Sequence, residues 1–254
     1  MTNGIVRAVI VTGAGSGIGR ATALALAKRG DAVVVADLSD NAAETVNLIE
    51  QQGGTATAVV GDVSDDTVVE QLVSVARQLG DTVGLVNNAG VMDDFAGAAD
   101  TDDATWQRCL LINVTAPFKL IRAVVPLLRE QKGGAIVNVG SAASLRGAAA
   151  GAAYTASKHA LAGLSKNTAY TYGREGIRCN MVAPGGVETN IMSSVDQTAL
   201  RPEAGLAAIT PVHNTAIRNA KPEELAEVIA FLLSDAASDV NGVAIPVDAG
   251  WAAG

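Results

Sequence analysis

Residues Ile5 to Arg20 read IVRAVIVTGAGSGIGR, a short apolar run that ends in a glycine-rich turn and passes directly into a helical stretch. Ile5, Val6, Val9, Ile10 and Val11 make a β-branched run suited to a buried parallel strand. Gly13, Gly15, Gly17 and Gly19 let backbone N–H groups approach a ligand closely, and a helix starting near Gly17 aims its positive end at the same spot, which suits a pyrophosphate. The pattern is not G-x-G-x-x-G, because position 18 is Ile and position 20 is Arg. It is Thr12-Gly13-x-x-x-Gly17-x-Gly19, which alone fits either a nucleotide-binding turn or a tight turn in an ordinary α/β domain. Asp37 favours the first. It closes a second apolar run, Ala32 to Ala36, and lies 18 residues past Gly19, near the spacing at which an acid meets the adenosine ribose hydroxyls.

The 254 residues are 49% hydrophobic, ample for a sizeable core, and no linker, charge run or repeat divides them, so one domain over 1–254 is expected. A net charge of -8 opposes nucleic-acid binding. The first residues offer neither a charged leader nor an apolar one, and no uninterrupted apolar run reaches membrane-spanning length, so a cytoplasmic protein with no membrane partner is expected. Cys109 and Cys179 cannot build a disulfide framework, and with two distant histidines they give no metal-ligand spacing.

Taken in order, the chain alternates strand and helix. A helix over Asp40 to Gln52 is stopped by Gly53-Gly54, and Thr55 to Val60 is a third strand running into Gly61-Asp62-Val63. Ser64 or Asp65 caps a helix carrying Val68, Val69, Leu72, Val75, Ala76 and Leu79. Thr82 to Val86 is a fourth strand ending in Asn87-Asn88-Ala89-Gly90. The plan predicts a doubly wound (Rossmann) seven-stranded parallel sheet with helices on both faces and a ligand crevice at its carboxyl edge, beside Asp62 and Val63. Asp102 to Arg129 reads as one helix interrupted at Pro117, which has no N–H for the carbonyl of Asn113. Gly134 to Val139 is a fifth strand with Ser141 at its end, and Gly176 to Ala183 a sixth, stopped by Pro184-Gly185-Gly186. Residues 190–219 show no clean period and read as a lid over the site. Pro222-Glu223-Glu224 opens a helix with an apolar stripe from Leu225 to Leu233, and Gly242 to Val247 is the last strand.

Thr12-Gly13-Ala14-Gly15-Ser16-Gly17-Ile18-Gly19, Asp62, Asn87-Asn88-Ala89-Gly90, Asn113, Ser141, Tyr154, Lys158 and Pro184-Gly185 through Thr189 occur in an order that resembles the short-chain dehydrogenase/reductase family, from residue 5 to about 250. The resemblance implies a catalytic set of Asn113, Ser141, Tyr154 and Lys158. It implies a dinucleotide held by Gly13, Gly15, Ser16, Gly17, Ile18, Gly19, Asp37, Asp62, Val63, Asn88, Ala89, Gly90, Tyr154, Lys158, Pro184, Gly185, Val187 and Thr189. Tyr154 and Lys158 lie four apart, one turn along the same helical face. A phenol is a poor base at neutral pH, and a nearby ammonium favours its phenolate. The small-residue stretch Ala142 to Gly163 permits close helix approach, and relatives of this kind assemble through that helix, so a homotetramer is expected.

The implied reaction interconverts a secondary alcohol and a ketone. A carboxylate at Asp37 can accept both ribose hydroxyls and repels a 2′-phosphate, and Ser16 stands where users of NADP often carry arginine, so NAD is the expected cofactor and NADP is disfavoured. No metal is expected. The competing readings are a 3-oxoacyl-[acyl-carrier-protein] reductase and a catalytically silent dinucleotide-sensing protein.

Overall fold

The computed structural model describes residues 6–195 and 205–253. Ile5, Leu200 and Pro202 therefore lie outside the described residues. Seven parallel strands lie in the order β3-β2-β1-β4-β5-β6-β7. They are β1 Arg7–Thr12, β2 Ala32–Asp37, β3 Ala56–Val60, β4 Asp81–Asn87, β5 Gly134–Val139, β6 Ile177–Pro184 and β7 Ala244–Val247. Strand order reverses between β1 and β4, which puts the ligand crevice of a doubly wound sheet at the ends of those two strands.

Side chains alternate across the sheet as strand geometry demands. Val9, Val11, Val33 and Val35 face one core with Leu26, Ile49, Leu225 and Ile229. That core lies under α1 (Gly17–Lys28), α2 (Asn41–Gln51) and α8 (Pro222–Leu233). Ile10, Val34, Leu85 and Ile136 face the other, with Leu72, Leu120, Val124 and Leu128, beneath α3 (Asp66–Leu79) and α5 (Ala116–Glu130). Val63 packs into this second core, so its side chain is part of the fold's interior. The carboxylate of Asp65 caps α3 by accepting from Thr67 N at 2.9 Å.

The predicted helix from Asp102 to Arg129 is broken into three. It runs as α4 (Asp103–Leu110), a π turn over Leu111–Thr115 and then α5, with Pro117 in the first turn of α5. The Ala116 N–H reaches back to the Leu111 carbonyl across the π turn. The proline therefore sits just past a widened turn centred on Asn113, and the irregularity lies in the turn itself. By length and composition, the stretch Asp103–Glu130 is also apolar enough to cross a membrane, its most apolar 18 residues averaging a hydropathy of 1.5. Charged and polar residues such as Arg108, Asn113, Lys119 and Arg122 interrupt it, so it holds no long uninterrupted apolar run. Here Ala116, Leu120, Ile121, Val124, Val125 and Leu128 are buried in the core beneath the sheet.

Two more helices complete the site. The long α6 (Ala152–Tyr172) precedes β6, and the short α7 (Ala207–His213) lies in the stretch for which no periodicity is visible. Only seven residues long and carrying Pro211, α7 is too brief to show a repeat.

Candidate active site

The glycine turn after β1 is built around contacts that exclude side chains. Gly13 and Gly17 have φ of 61° and 51°. A Cβ on Gly13 would come within 2.9 Å of Ala89 Cα, and one on Gly19 would fall on the Gly13 carbonyl oxygen. The turn is bolted to the end of β4: Asn88 Nδ2 donates to the carbonyls of Thr12 and Gly13 at 2.9 and 3.1 Å. The N–H groups of Asn88 and Ala89 donate to Thr12 Oγ1 at 3.0 and 3.1 Å. Asn88 thus shapes the cradle with its side chain already committed.

Asp37, at the end of β2, accepts from Gly15 N at 2.8 Å through one oxygen and from Ser39 N and Oγ through the other. Arg20, which sequence reasoning treated only as a motif mismatch, donates to the Gly15 carbonyl, to Thr45 Oγ1 at 3.1 Å and to Glu44 at 3.0 Å. Its two side-chain partners, Thr45 and Glu44, come from α2, a pairing that no local signal marks. Asp62 is exposed beyond β3, its carboxylate turned back to Ser64 N at 2.8 Å.

From the other side, β6 ends at Pro184, the Gly185 N–H donates to Val247 O at 3.2 Å, and Val187 bridges Ala220. The methyl of Thr189 lies 3.0 Å from where a Cβ on Gly17 would stand, so the turn after β6 meets the start of α1 across the crevice. These close approaches line the gap between the two turns with backbone, with the Asp37 carboxylate at one end. Ser16 and Ile18 lie within this turn, at the start of α1.

Ser141, Tyr154, Lys158 and Asn113 converge at the ends of β4 and β5. Ser141 opens a short turn, where its Oγ accepts from Ala143 N at 3.1 Å and Ser144 Oγ accepts from Ser141 N. Its side chain also hydrogen-bonds the Tyr154 phenol, which favours the phenolate. Burial outweighs that bond and pushes the Tyr154 pKa up, for the residue is only 5% exposed. Lys158 Nζ donates to Val139 O at 2.9 Å and lies 5.5 Å from the tyrosine ring centroid. Burial pushes its pKa down to about 8. The expected help from lysine to phenolate is therefore not what sets the tyrosine's affinity for its proton in this arrangement.

Asn113 is fully buried, and its side chain spans two elements: Oδ1 accepts from Val91 N at 2.9 Å, and Nδ2 donates to Val91 O at 2.9 Å and Ser157 Oγ at 3.0 Å. It clamps the loop after Gly90 to α6, one residue before Lys158.

Tyr154 also faces an apolar wall containing Met92, Phe95, Ile209 and Trp251. Phe95, His213 and Trp251 stack edge to face, and Trp251 Nε1 donates to Val212 O and Thr215 Oγ1 at 3.0 and 2.9 Å. Residues 212–215 are thereby tied to the turn at Trp251, a contact with no sequence signature. Cys109 and Cys179 are free and buried, with thiol pKa values pushed up by burial to about 11 and about 12. Among the described residues no group of three His, Cys, Asp or Glu could hold a metal ion.

Residues 13–252 match a family profile described as enoyl-(acyl carrier protein) reductase. A short-chain dehydrogenase/reductase of Talaromyces verruculosus is 43% identical over 251 residues, 96% of each chain. Among solved structures, levodione reductase superposes with a TM-score of 0.87 at 35% identity, covering 97% of this chain and 98% of that one. A short-chain dehydrogenase from Mycobacterium paratuberculosis bound to NAD gives 0.89 at 31%, covering 98% of both. A protein of Beutenbergia cavernae crystallised with NADP at low occupancy gives 0.84 at 36%, covering 98% and 97%.

Proposed function

Because the chain belongs to the short-chain dehydrogenase/reductase family of oxidoreductases, we propose that it interconverts an apolar ketone and its secondary alcohol with NAD(H). The observation that carries this reading is the grouping of Tyr154 with Ser141 and Lys158 at the crevice edge, against an apolar wall.

The dinucleotide would supply or accept the hydride; the protein does the rest. Gly13, Gly15, Ser16, Gly17, Ile18 and Gly19 would lie along its phosphates, with Asp62, Val63, Asn88, Ala89 and Gly90 along the adenine side and the crevice floor. Pro184, Gly185, Val187 and Thr189 would meet its nicotinamide end. In ketone reduction Ser141 Oγ holds the carbonyl oxygen and Tyr154 gives that oxygen a proton. The raised phenol pKa suits this direction, since the proton is present to be given across the neutral range. Lys158 orients the ribose and returns a proton toward the tyrosine, and Asn113 holds the turn past which that proton travels.

Asp37 supports NAD over NADP, because a carboxylate fixed by Gly15 and Ser39 repels a 2′-phosphate. Lys28 and Arg29 do not offset it; Arg29 pairs with Glu227 at 2.7 Å. Exposed Trp106, Leu111 and Phe118 along α4, the π turn and α5 support assembly as a homotetramer. The net charge of -8 weighs against docking an acidic carrier protein.

The test is NADH consumption on a panel containing camphor, 2-decalone, a steroid ketone, a sugar and an acetoacetyl thioester. Turnover of the apolar cyclic ketones is expected. Turnover of the thioester alone would replace this reading with a reductase of acyl thioesters, and tight NADH binding with no turnover would replace it with a sensor.

A further inference from the structure

Helix α6 carries both Tyr154 and Lys158 and yet has no cap of its own, since its N-cap residue is Gly151. An uncapped first turn leaves backbone N–H groups unpaired and is free to fray. The missing acceptors come from the loop after β4. Asp93, only 1% exposed, accepts from Tyr154 N at 2.8 Å through Oδ2, and from Gly151 N at 3.2 Å and Phe95 N at 3.1 Å through Oδ1. Ala96 O accepts from Ala152 N at 2.8 Å. Phe95 takes a φ of 61°, which residues with side chains rarely adopt, and this bends the loop onto the helix end. Gly151 is part of the fit, for a Cβ there would stand 2.6 Å from Asp93 Oδ2.

We propose that Asp93 is the positioning residue of the reaction: its carboxylate, delivered from the β4 loop, fixes the first turn of α6 and thereby the phenol of Tyr154 against Ser141. This rests on the reading of Tyr154 as the acid/base. The three N–H donors converge on two oxygens, so an amide cannot substitute, because its NH2 would face a donor.

The charged and titratable groups around Asp93 are Asp94 on its own loop, Arg108 and Cys109 on α4, and Tyr154 and Lys158 on α6. Arg108 is turned to the carbonyls of Met92 and Ser194. Asp93 therefore opposes the Tyr154 phenolate while holding its backbone, and removing the charge draws the phenol pKa down.

The experiment compares the parent enzyme with Asp93→Asn, Gly151→Ala and the control Asp94→Asn, using camphor and NADH, alongside amide hydrogen exchange. Asp93→Asn is expected to lower kcat roughly ten- to hundredfold, with KM and NADH affinity within about twofold, a margin far below the roughly tenfold change per 1.4 kcal/mol. The falling limb of the ketone-reduction pH profile should move to lower pH, and exchange at Gly151 and Tyr154 should speed up. Gly151→Ala should lose kcat in the same way, and Asp94→Asn should behave as the parent.

Parent kcat in both Asp93→Asn and Gly151→Ala overturns the proposal, as does a kcat loss matched by lost NADH binding or accompanied by unchanged exchange at Gly151 and Tyr154. If Asp93→Asn does not fold, Gly151→Ala decides. If the parent itself reduces no ketone, or Tyr154→Phe is as active as the parent, the reading of the site fails instead; unchanged exchange at Gly151 and Tyr154 still overturns the role of Asp93.

Discussion

The backbone N–H of Gly15 donates to the carboxylate of Asp37 at 2.8 Å, joining the glycine turn after β1 to the end of β2. A Cβ on Gly15 would stand 2.7 Å from that carboxyl group, so the two residues are fitted to one another. NAD is accordingly expected over NADP by at least about tenfold in kcat/KM, or ~1.4 kcal/mol. Asp37→Ser should erase most of that preference by removing the like charge. Equal efficiency of the parent enzyme with both cofactors would contradict it.

Gly19 tests the cradle from the opposite side. Its added Cβ would meet the Gly13 carbonyl and, at 2.6 Å, Asn88 Nδ2. Gly19→Ala is expected to destabilise the fold by roughly 1–3 kcal/mol, as overpacking does, and to abolish NADH binding by fluorescence titration. Retained affinity would show that the turn can shift without loss.

These parts of the molecule differ in how far the sequence discloses them. The strands are legible because β-branched runs ending in glycine or polar residues have few other uses, and Tyr154 and Lys158 are legible because four residues make one helical turn. Asp93, Arg20 and Trp251 are not, since each acts on residues distant in the chain: α6 for Asp93, Thr45 for Arg20, Thr215 for Trp251. The π turn at Asn113 falls between, for Pro117 marks a disturbance without saying which turn widens.

Lys158 is buried at a cost. Its pKa is lowered to about 8 from an ordinary 10.5, so folding loses stability as pH falls through that window, and below pH 8 the full penalty of burying the ammonium is present. That penalty is on the order of 3 kcal/mol, which the roughly 1.5–3 kcal/mol of the charged hydrogen bond to Val139 O offsets in large part. Lys158→Met is expected to leave Tm at pH 7 nearly unchanged while losing turnover. A clearly lowered Tm would contradict the burial penalty.

Trp251 fastens the end of α7 and the residues just after it through Val212 and Thr215, while the Arg146 side chain lies over its ring and donates to its carbonyl at 2.6 Å. Trp251→Ala should raise KM for apolar ketones severalfold, a cost of about 1 kcal/mol, and leave KM for NADH unchanged. Equal changes in both constants would place the residue outside the substrate wall.

The central claim is that the phenol of Tyr154 moves the proton. Its most direct measurement is the turnover and NADH affinity of Tyr154→Phe, which removes one oxygen from a fully packed site. Turnover lost by at least about a thousandfold, toward the upper part of the range for a positioned acid/base, with NADH binding unchanged, is the predicted result; turnover near that of the parent enzyme would contradict the account.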